Sequence, residues 1–211
     1  MKLYTCQNSR GLRVTWTAVE AGQDLDLVVM PFPPRAKARA FLAINPLGTV
    51  PAFIDGELQM TESSAIAQYL AALYSPRNLS VEADESDYGA YLDFLHHADA
   101  TLTFPQTVFM RFSLFEKHRG LEAGGEAYGA WFGARLVKLE RRLEDREYLC
   151  ADRFTAADIA IAFALHLSTQ IGLDAHLTPR LRRYLEAMTA RPGFATAVAL
   201  EAEAARAYAG V

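Results

Sequence analysis

Residues 45–70 read NPLGTVPAFIDGELQMTESSAIAQYL, and the punctuation of this stretch decides the fold. Asn45-Pro46-Leu47-Gly48 is a turn. Val50-Pro51-Ala52-Phe53-Ile54 is a strand entered through a proline, Asp55-Gly56 is a hairpin signal, and Leu58-Gln59-Met60 is the returning strand. Thr61-Glu62-Ser63-Ser64 then opens a helix carrying Ile66, Leu70 and Leu73. A proline at a strand start removes a ladder donor and often marks a turn or a cis peptide. With Val50-Pro51 cis, the Val50 N–H and C=O point sideways and can pair with an extended peptide as an added strand does. At the following helix start, the backbone N–H groups and the helix dipole favour a carboxylate, and Ser63 adds a hydroxyl donor. The Glu62 carboxylate accepts from an ammonium group. Together these features form a site for a small zwitterion with a peptide-like backbone. Taken singly, each also has a plain structural reading, as a strand start and as a helix cap.

Toward the N-terminus, residues 2–5 read as a short strand. Helical spacing follows at Leu12, Trp16 and Val19, with Gly22 as a C-cap. Residues 25–30 form a second strand stopped by Pro31, and Arg35 to Ala43 read as a short helix. The order is therefore βαβαββα. From Ser75 the text changes. A polar linker runs to about Ser86, and beyond it helical spacing dominates through 87–115, 125–145, 156–171, 179–190 and 194–208. Thr155-Ala156-Ala157-Asp158 has the form of a capping box, with Asp where Glu or Gln is usual. Pro179 and Pro192 suit the first turns of helices. The fold class is α/β plus all-α: an N-terminal mixed domain over 1–76, a linker over 77–86 and a C-terminal helical bundle over 87–211.

The composition fits two packed cores, being 51% hydrophobic and 22% charged over 211 residues. A net charge of −4 attracts no polyanion, so no nucleic-acid partner is expected. No apolar run reaches the length of a membrane span, and no signal-peptide core precedes the first strand. Cys6 and Cys150 build neither a disulfide framework nor a metal site by themselves, and a reduced cytoplasmic setting is expected. His96 and His97 diverge by about 100° on a helix and chelate poorly, so no metal is expected. One of the two histidines is available to line a substrate cleft or a subunit interface. Phe104, Phe109, Phe112 and Phe115 read mostly as core, with one or two of them free to face an electrophile, and Trp131 and Phe132 read as core.

The string N-P-x-G-x-V-P, hairpin, T-E-S-x-A-I-x-x-Y-L resembles the glutathione-binding half of the cytosolic glutathione transferases. Met1-Lys2-Leu3-Tyr4 with Ser9-Arg10-Gly11-Leu12-Arg13-Val14 resembles the family's first strand and helix. Phe154–Ala160 resembles its helical-domain capping box, and Arg191-Pro192-Gly193-Phe194 a late helix start. The resemblance implies a thioredoxin-like N-terminal domain and glutathione as co-substrate. It implies that Val50, beside Pro51, pairs with the cysteinyl backbone of glutathione and that Glu62 and Ser63 hold its γ-glutamyl end. Arg35 or Lys37 lies near where the family often holds the glycine carboxylate.

In serine-type members (theta-, delta- or zeta-like, or bacterial) a serine four residues before the helix arginine stabilises the glutathione thiolate. Ser9 stands four residues before Arg13. A hydroxyl donating to sulfur favours its charged form, and thiolate is the nucleophile. Ser9 also suits a simple helix cap. Tyrosine-type members carry their tyrosine where Thr5 stands, and alternation turns Tyr4 to the other face. Cys6-Gln7-Asn8-Ser9 has the C-x-x-S spacing of single-cysteine glutaredoxins, which leaves a thiol–disulfide reductase as an alternative, with Cys6 as a small buried hydrophobe beside it. A noncatalytic interaction module of the same fold is the third reading. The family implies a homodimer and a small hydrophobic electrophile, chosen by helices within 87–120 and by the C-terminal tail.

Overall fold

The computed structural model describes residues 1–208. By packing it divides into two compact units, Met1–Ser80 together with the chain from Thr189 on, and Val81–Met188.

The first unit opens with β1 (Lys2–Cys6), α1 (Gly11–Glu20) and β2 (Asp26–Met30), a parallel pair joined by a helix. A short helix α2 (Pro34–Lys37) follows. The sequence reads one helix over Arg35–Ala43, but Ala38 leaves helical dihedrals at φ −137°, and Arg39–Ala43 continues as a 3₁₀ turn. Strands β3 (Ala52–Asp55) and β4 (Leu58–Met60) form the hairpin, with Gly56 at φ 58°, and α3 spans Ser63–Tyr74. The sheet order is β2-β1-β3-β4, with β3 antiparallel to both neighbours.

Alternation along β1 builds two cores. Leu3 packs with Phe53 against Val14 and Ala18 of α1 and Ile66 and Leu70 of α3. Tyr4 and Cys6 face the other side, with Met30, Ala38, Phe41 and Ala52. Burying side chains of this size contributes roughly 1.5–3 kcal/mol each, which fixes the register of the sheet.

The last helix, α10 (Pro192–Arg206), groups with this first unit, whereas the sequence pattern places it with the other helices. It runs antiparallel to α1. Arg191 forms a two-point pair with Glu20 at 2.8 and 2.9 Å, Phe194 meets Trp16 edge-on at 5.0 Å, and Thr15 Oγ1 donates to Glu201 Oε1 at 2.9 Å. Glu201 is 2% exposed, and burial pushes its carboxyl up to about 8.

That burial has a pH signature. The unfolded chain gives up this proton near the ordinary value of 4.5, the folded chain only near 8. Stability is therefore lost as pH rises through this window, at up to about 1.4 kcal/mol per pH unit. Glu201→Gln keeps an acceptor for Thr15 and removes the titration. Its melting temperature, measured by circular dichroism, is expected to gain on wild type from about pH 5 and to level off above about pH 8. A constant difference across that range would refute a buried neutral acid at Glu201.

The second unit is helical. It begins with α4 (Tyr88–His96), a π-helical turn His97–Thr103, α5 (Phe104–Phe109), a second π turn Met110–Phe115 and a 3₁₀ turn Lys117–Arg119. Helices α6 (Glu122–Arg135), α7 (Val137–Arg142), α8 (Ala156–Gln170) and α9 (Pro179–Thr189) follow. The sequence pattern joins α6 and α7 as one helix, but the chain breaks its hydrogen bonding at Leu136. Both arms of the Thr155/Asp158 capping box are formed at the start of α8, whose residues from Ala156 to Leu165 are buried. Two π turns interrupt the regular periodicity of this stretch. Phe104 and Phe115 are exposed, Phe109 and Phe112 half-buried, and Trp131 on α6 is exposed while Phe132 is buried. Most of this set is thus not core. Among the described residues no helix is long and apolar enough to cross a membrane.

Candidate active site

The turn between β1 and α1 places Ser9 at the start of the helix. Ser9 N–H donates to the Cys6 carbonyl at 3.1 Å, closing a turn in which Asn8 takes a left-handed φ of 57°. Ser9 Oγ accepts the Gly11 N–H at 3.3 Å and the Cys6 N–H at 3.4 Å, and lies 3.0 Å from Thr5 Oγ1. The side chain is half-buried, and it caps α1 while keeping a hydroxyl proton to give.

Cys6 behaves differently from a working thiol. It has no exposed surface, and burial, with a smaller effect of Glu201, pushes its thiol up to about 12. At neutral pH it carries almost no thiolate. Cys150 is likewise buried, with its thiol pushed up to about 12 by burial.

The Asn45–Pro51 loop is built tightly. Asn45 is 2% exposed; its Nδ2 donates to the Thr49 carbonyl at 2.8 Å and its Oδ1 accepts the Leu47 N–H at 3.2 Å. Gly48 adopts φ 62° with α2 so close that a Cβ there would lie 2.9 Å from Arg35 Cβ, so only glycine suits the position. Val50-Pro51 is cis, as the sequence reading expects. The β1–β3 ladder starts at Ala52, opposite Tyr4, so half-buried Val50 stands ahead of the paired strand. Arg35 and Lys37 are both exposed on α2.

Glu62 is the exposed N-cap of α3, with φ −91° and ψ 113°, and its carbonyl accepts the Ile66 N–H at 2.9 Å. Ser63 is buried as the first helical residue. Its Oγ accepts from Arg13 Nη1 at 3.0 Å, and Ser64 Oγ accepts from the same nitrogen at 3.4 Å. The sequence reading uses Arg13 only as a landmark for Ser9 and misses this contact. The available signal is an arginine between Leu12 and Val14 on the apolar face of a helix: a charge with no exposed surface needs polar partners.

Beside the Ser9 turn lies a cavity of about 330 Å³. Gln7 and Asn8 form its rim, Val29, Met30, Pro31 and Phe32 one wall, and Ala205 and Tyr208 the other. In the second unit His97 is buried against Phe94, which lowers its pKa to about 4, and His96 is exposed. Among the described residues no group of three or more His, Cys, Asp or Glu gathers to hold a metal ion.

The sequence profile of the glutathione S-transferase N-terminal domain matches residues 2–78, and that of the C-terminal domain matches residues 133–192. A glutathione S-transferase of Hyoscyamus muticus is 29% identical over 196 residues, covering 89% of this chain and 92% of that protein. The glutathione S-transferase GstB of Escherichia coli strain K12 is 30% identical over 157 residues, covering 72% of this chain and 74% of its own. The crystal structure of a glutathione transferase from Methylococcus capsulatus superposes with a TM-score of 0.81 at 28% identity, over 96% of this chain and 98% of that one. Fold and relatives thus define a thioredoxin-like glutathione-binding protein with an appended helical unit. The chain belongs to the glutathione S-transferase family, and it is a glutathione transferase.

Proposed function

We propose that this transferase joins the glutathione thiolate to small, mostly hydrophobic electrophiles, with Ser9 stabilising the thiolate. The observation that carries the reading is that one helix, α1, serves both ends of the proposed site. Its first turn holds the Ser9 hydroxyl, and one turn later its buried Arg13 donates to Ser63. With Arg13 occupying a lone pair of Ser63 Oγ, the Ser63 proton is available to the γ-glutamyl carboxylate, which the N-terminus of α3 also attracts. Glu62 takes the ammonium group, the Val50 backbone pairs with the cysteinyl peptide beside Pro51, and Arg35 answers the glycine carboxylate. The apolar wall of the cavity at Val29, Met30 and Phe32 suits the body of an electrophile. The burial of Cys6 favours conjugation over thiol–disulfide exchange. Assembly as a homodimer and a cytoplasmic location follow the family resemblance.

Retention on immobilised glutathione followed by turnover of a generic aromatic halide tests the reading. Retention without turnover would instead favour a noncatalytic binding module. Within the site, Glu62→Ala and Ser63→Ala are each expected to weaken glutathione binding by about 1–3 kcal/mol, the cost of a lost charged hydrogen bond. Titration calorimetry showing unchanged affinity in both variants would remove them from the site.

A further inference from the structure

The Thr5 hydroxyl touches the thiolate donor assigned above, and the inference that follows rests on that Ser9 reading. Thr5 is fully buried at the end of β1. Its Oγ1 lies 3.0 Å from Ser9 Oγ and donates to the Cys6 carbonyl at 3.3 Å. Gly11 makes room for it, since a Cβ at that position would fall 1.8 Å from Thr5 Oγ1. Two hydroxyls at 3.0 Å share one proton between them, and either can be the donor. The partners of each oxygen decide which one gives it.

With Ser9 donating to Thr5 and Thr5 donating to the Cys6 carbonyl, both hydroxyls are satisfied. A thiolate beside Ser9 reverses the order. Hydrogen bonds to an ionised acceptor are about twice as strong as neutral ones, so the Ser9 proton turns to sulfur. The short contact between the two oxygens then needs the Thr5 proton, and because Ser9 Oγ has two lone pairs, the long Cys6 N–H contact at 3.4 Å gives way to it. Thr5 gives up little by turning, because the Cys6 carbonyl keeps the Ser9 N–H at 3.1 Å, a better distance than the 3.3 Å of its bond to Thr5.

We propose that Thr5 is a positioning residue that backs Ser9 in a two-hydroxyl relay, Thr5 O–H to Ser9 Oγ and Ser9 O–H to the glutathione sulfur. No proton leaves its oxygen; both hydroxyls rotate. Donation onto Ser9 Oγ polarises the Ser9 O–H and strengthens its bond to the thiolate.

The test is thiolate absorbance against pH in the glutathione complexes of wild type, Thr5→Val, Thr5→Ala and Thr5→Ser, with Ser9→Ala measured alongside. Thr5→Val keeps the branched shape without the hydroxyl; Thr5→Ala makes the same deletion with no added bulk and covers a failure of the valine variant to fold. Both deletions are expected to raise the pKa of the bound thiol by about half a unit to one unit, which is roughly three- to tenfold less thiolate at neutral pH. Thr5→Ser is expected to restore most of the wild-type value, which a purely structural role of the side chain would not produce. An unchanged pKa in both deletions overturns the relay, and a lowered one shows that Thr5 withholds the Ser9 proton. If Ser9→Ala also leaves the pKa unmoved, the Ser9 reading falls and the relay with it. If Ser9→Ala moves it and the Thr5 deletions do not, only the relay falls.

Discussion

Ser9→Ala is expected to raise the pKa of bound glutathione and to cut conjugation at neutral pH by up to about tenfold for each unit of the rise. A free thiol titrates near 8.5, and where the pKa lies above the working pH the thiolate fraction falls about tenfold for each unit of its rise. Glutathione affinity is expected to change little, because Ser9 serves the sulfur while the proposed backbone and glutamyl contacts lie at Val50, Glu62 and Ser63. The two N–H groups that Ser9 Oγ accepts, at 3.3 and 3.4 Å, make poor hydrogen bonds. As a cap the side chain is therefore worth about 1 kcal/mol. A variant that loses that much stability but keeps the wild-type pH–rate profile would show that Ser9 is only a cap. The pH profile is the decisive readout, since stability falls under either account.

Asp158→Ala is expected to be the most destabilising single change, lowering the stability of the second unit by about 4 kcal/mol and its melting temperature by about 15 °C or more. Asp158 has no exposed surface and accepts four hydrogen bonds. Leu149 N–H and Tyr184 O–H donate to Oδ1 at 2.9 and 2.8 Å, and Thr155 N–H and O–H donate to Oδ2 at 2.9 and 3.0 Å. Burial still prevails over these donors and pushes the carboxyl up to about 6. Alanine leaves the donors without an acceptor, and Tyr184 among them is buried. Each such group costs about 1–3 kcal/mol. Asp158→Asn retains one acceptor oxygen and is expected to recover part of the loss. Urea unfolding of the three proteins checks this, and a shift below about 1 kcal/mol for the alanine variant would mean that the network contributes little.

Both sites lie in stretches whose local chemistry is legible from sequence. The Val50-Pro51 strand entry, the Asp55-Gly56 hairpin and the Thr155–Asp158 box rest on residues a few positions apart, and backbone preferences act over that range. The βαβαββα order follows from the same kind of evidence. What escapes is chemistry between distant residues. Arg13 meets Ser63 across fifty positions, and nothing local to either tells which of the polar groups will be its partner. Thr5 and Ser9 are close in sequence, yet their contact depends on Gly11 letting α1 approach β1. The π turns at His97–Thr103 and Met110–Phe115 escape for another reason. A periodicity of 3.6 is assumed when apolar positions are assigned to one face, and a π turn departs from it.

The alliance of α10 with α1 and β2 bears on the order in which the protein can be made. The strands and helices that hold the proposed glutathione site leave the ribosome well before the helix that covers Thr15 and Trp16. Until residues 192–206 have emerged, the first-synthesised part of the chain exposes Trp16 and has no partner for Glu20 or Thr15 from Arg191 and Glu201. Domains generally mature in the order they are translated. Here the all-helical stretch Val81–Met188 is complete in the nascent chain while the earlier unit still waits for its closing piece. A chain cut off between residues 188 and 192 would thus carry a finished second unit and an unfinished first one.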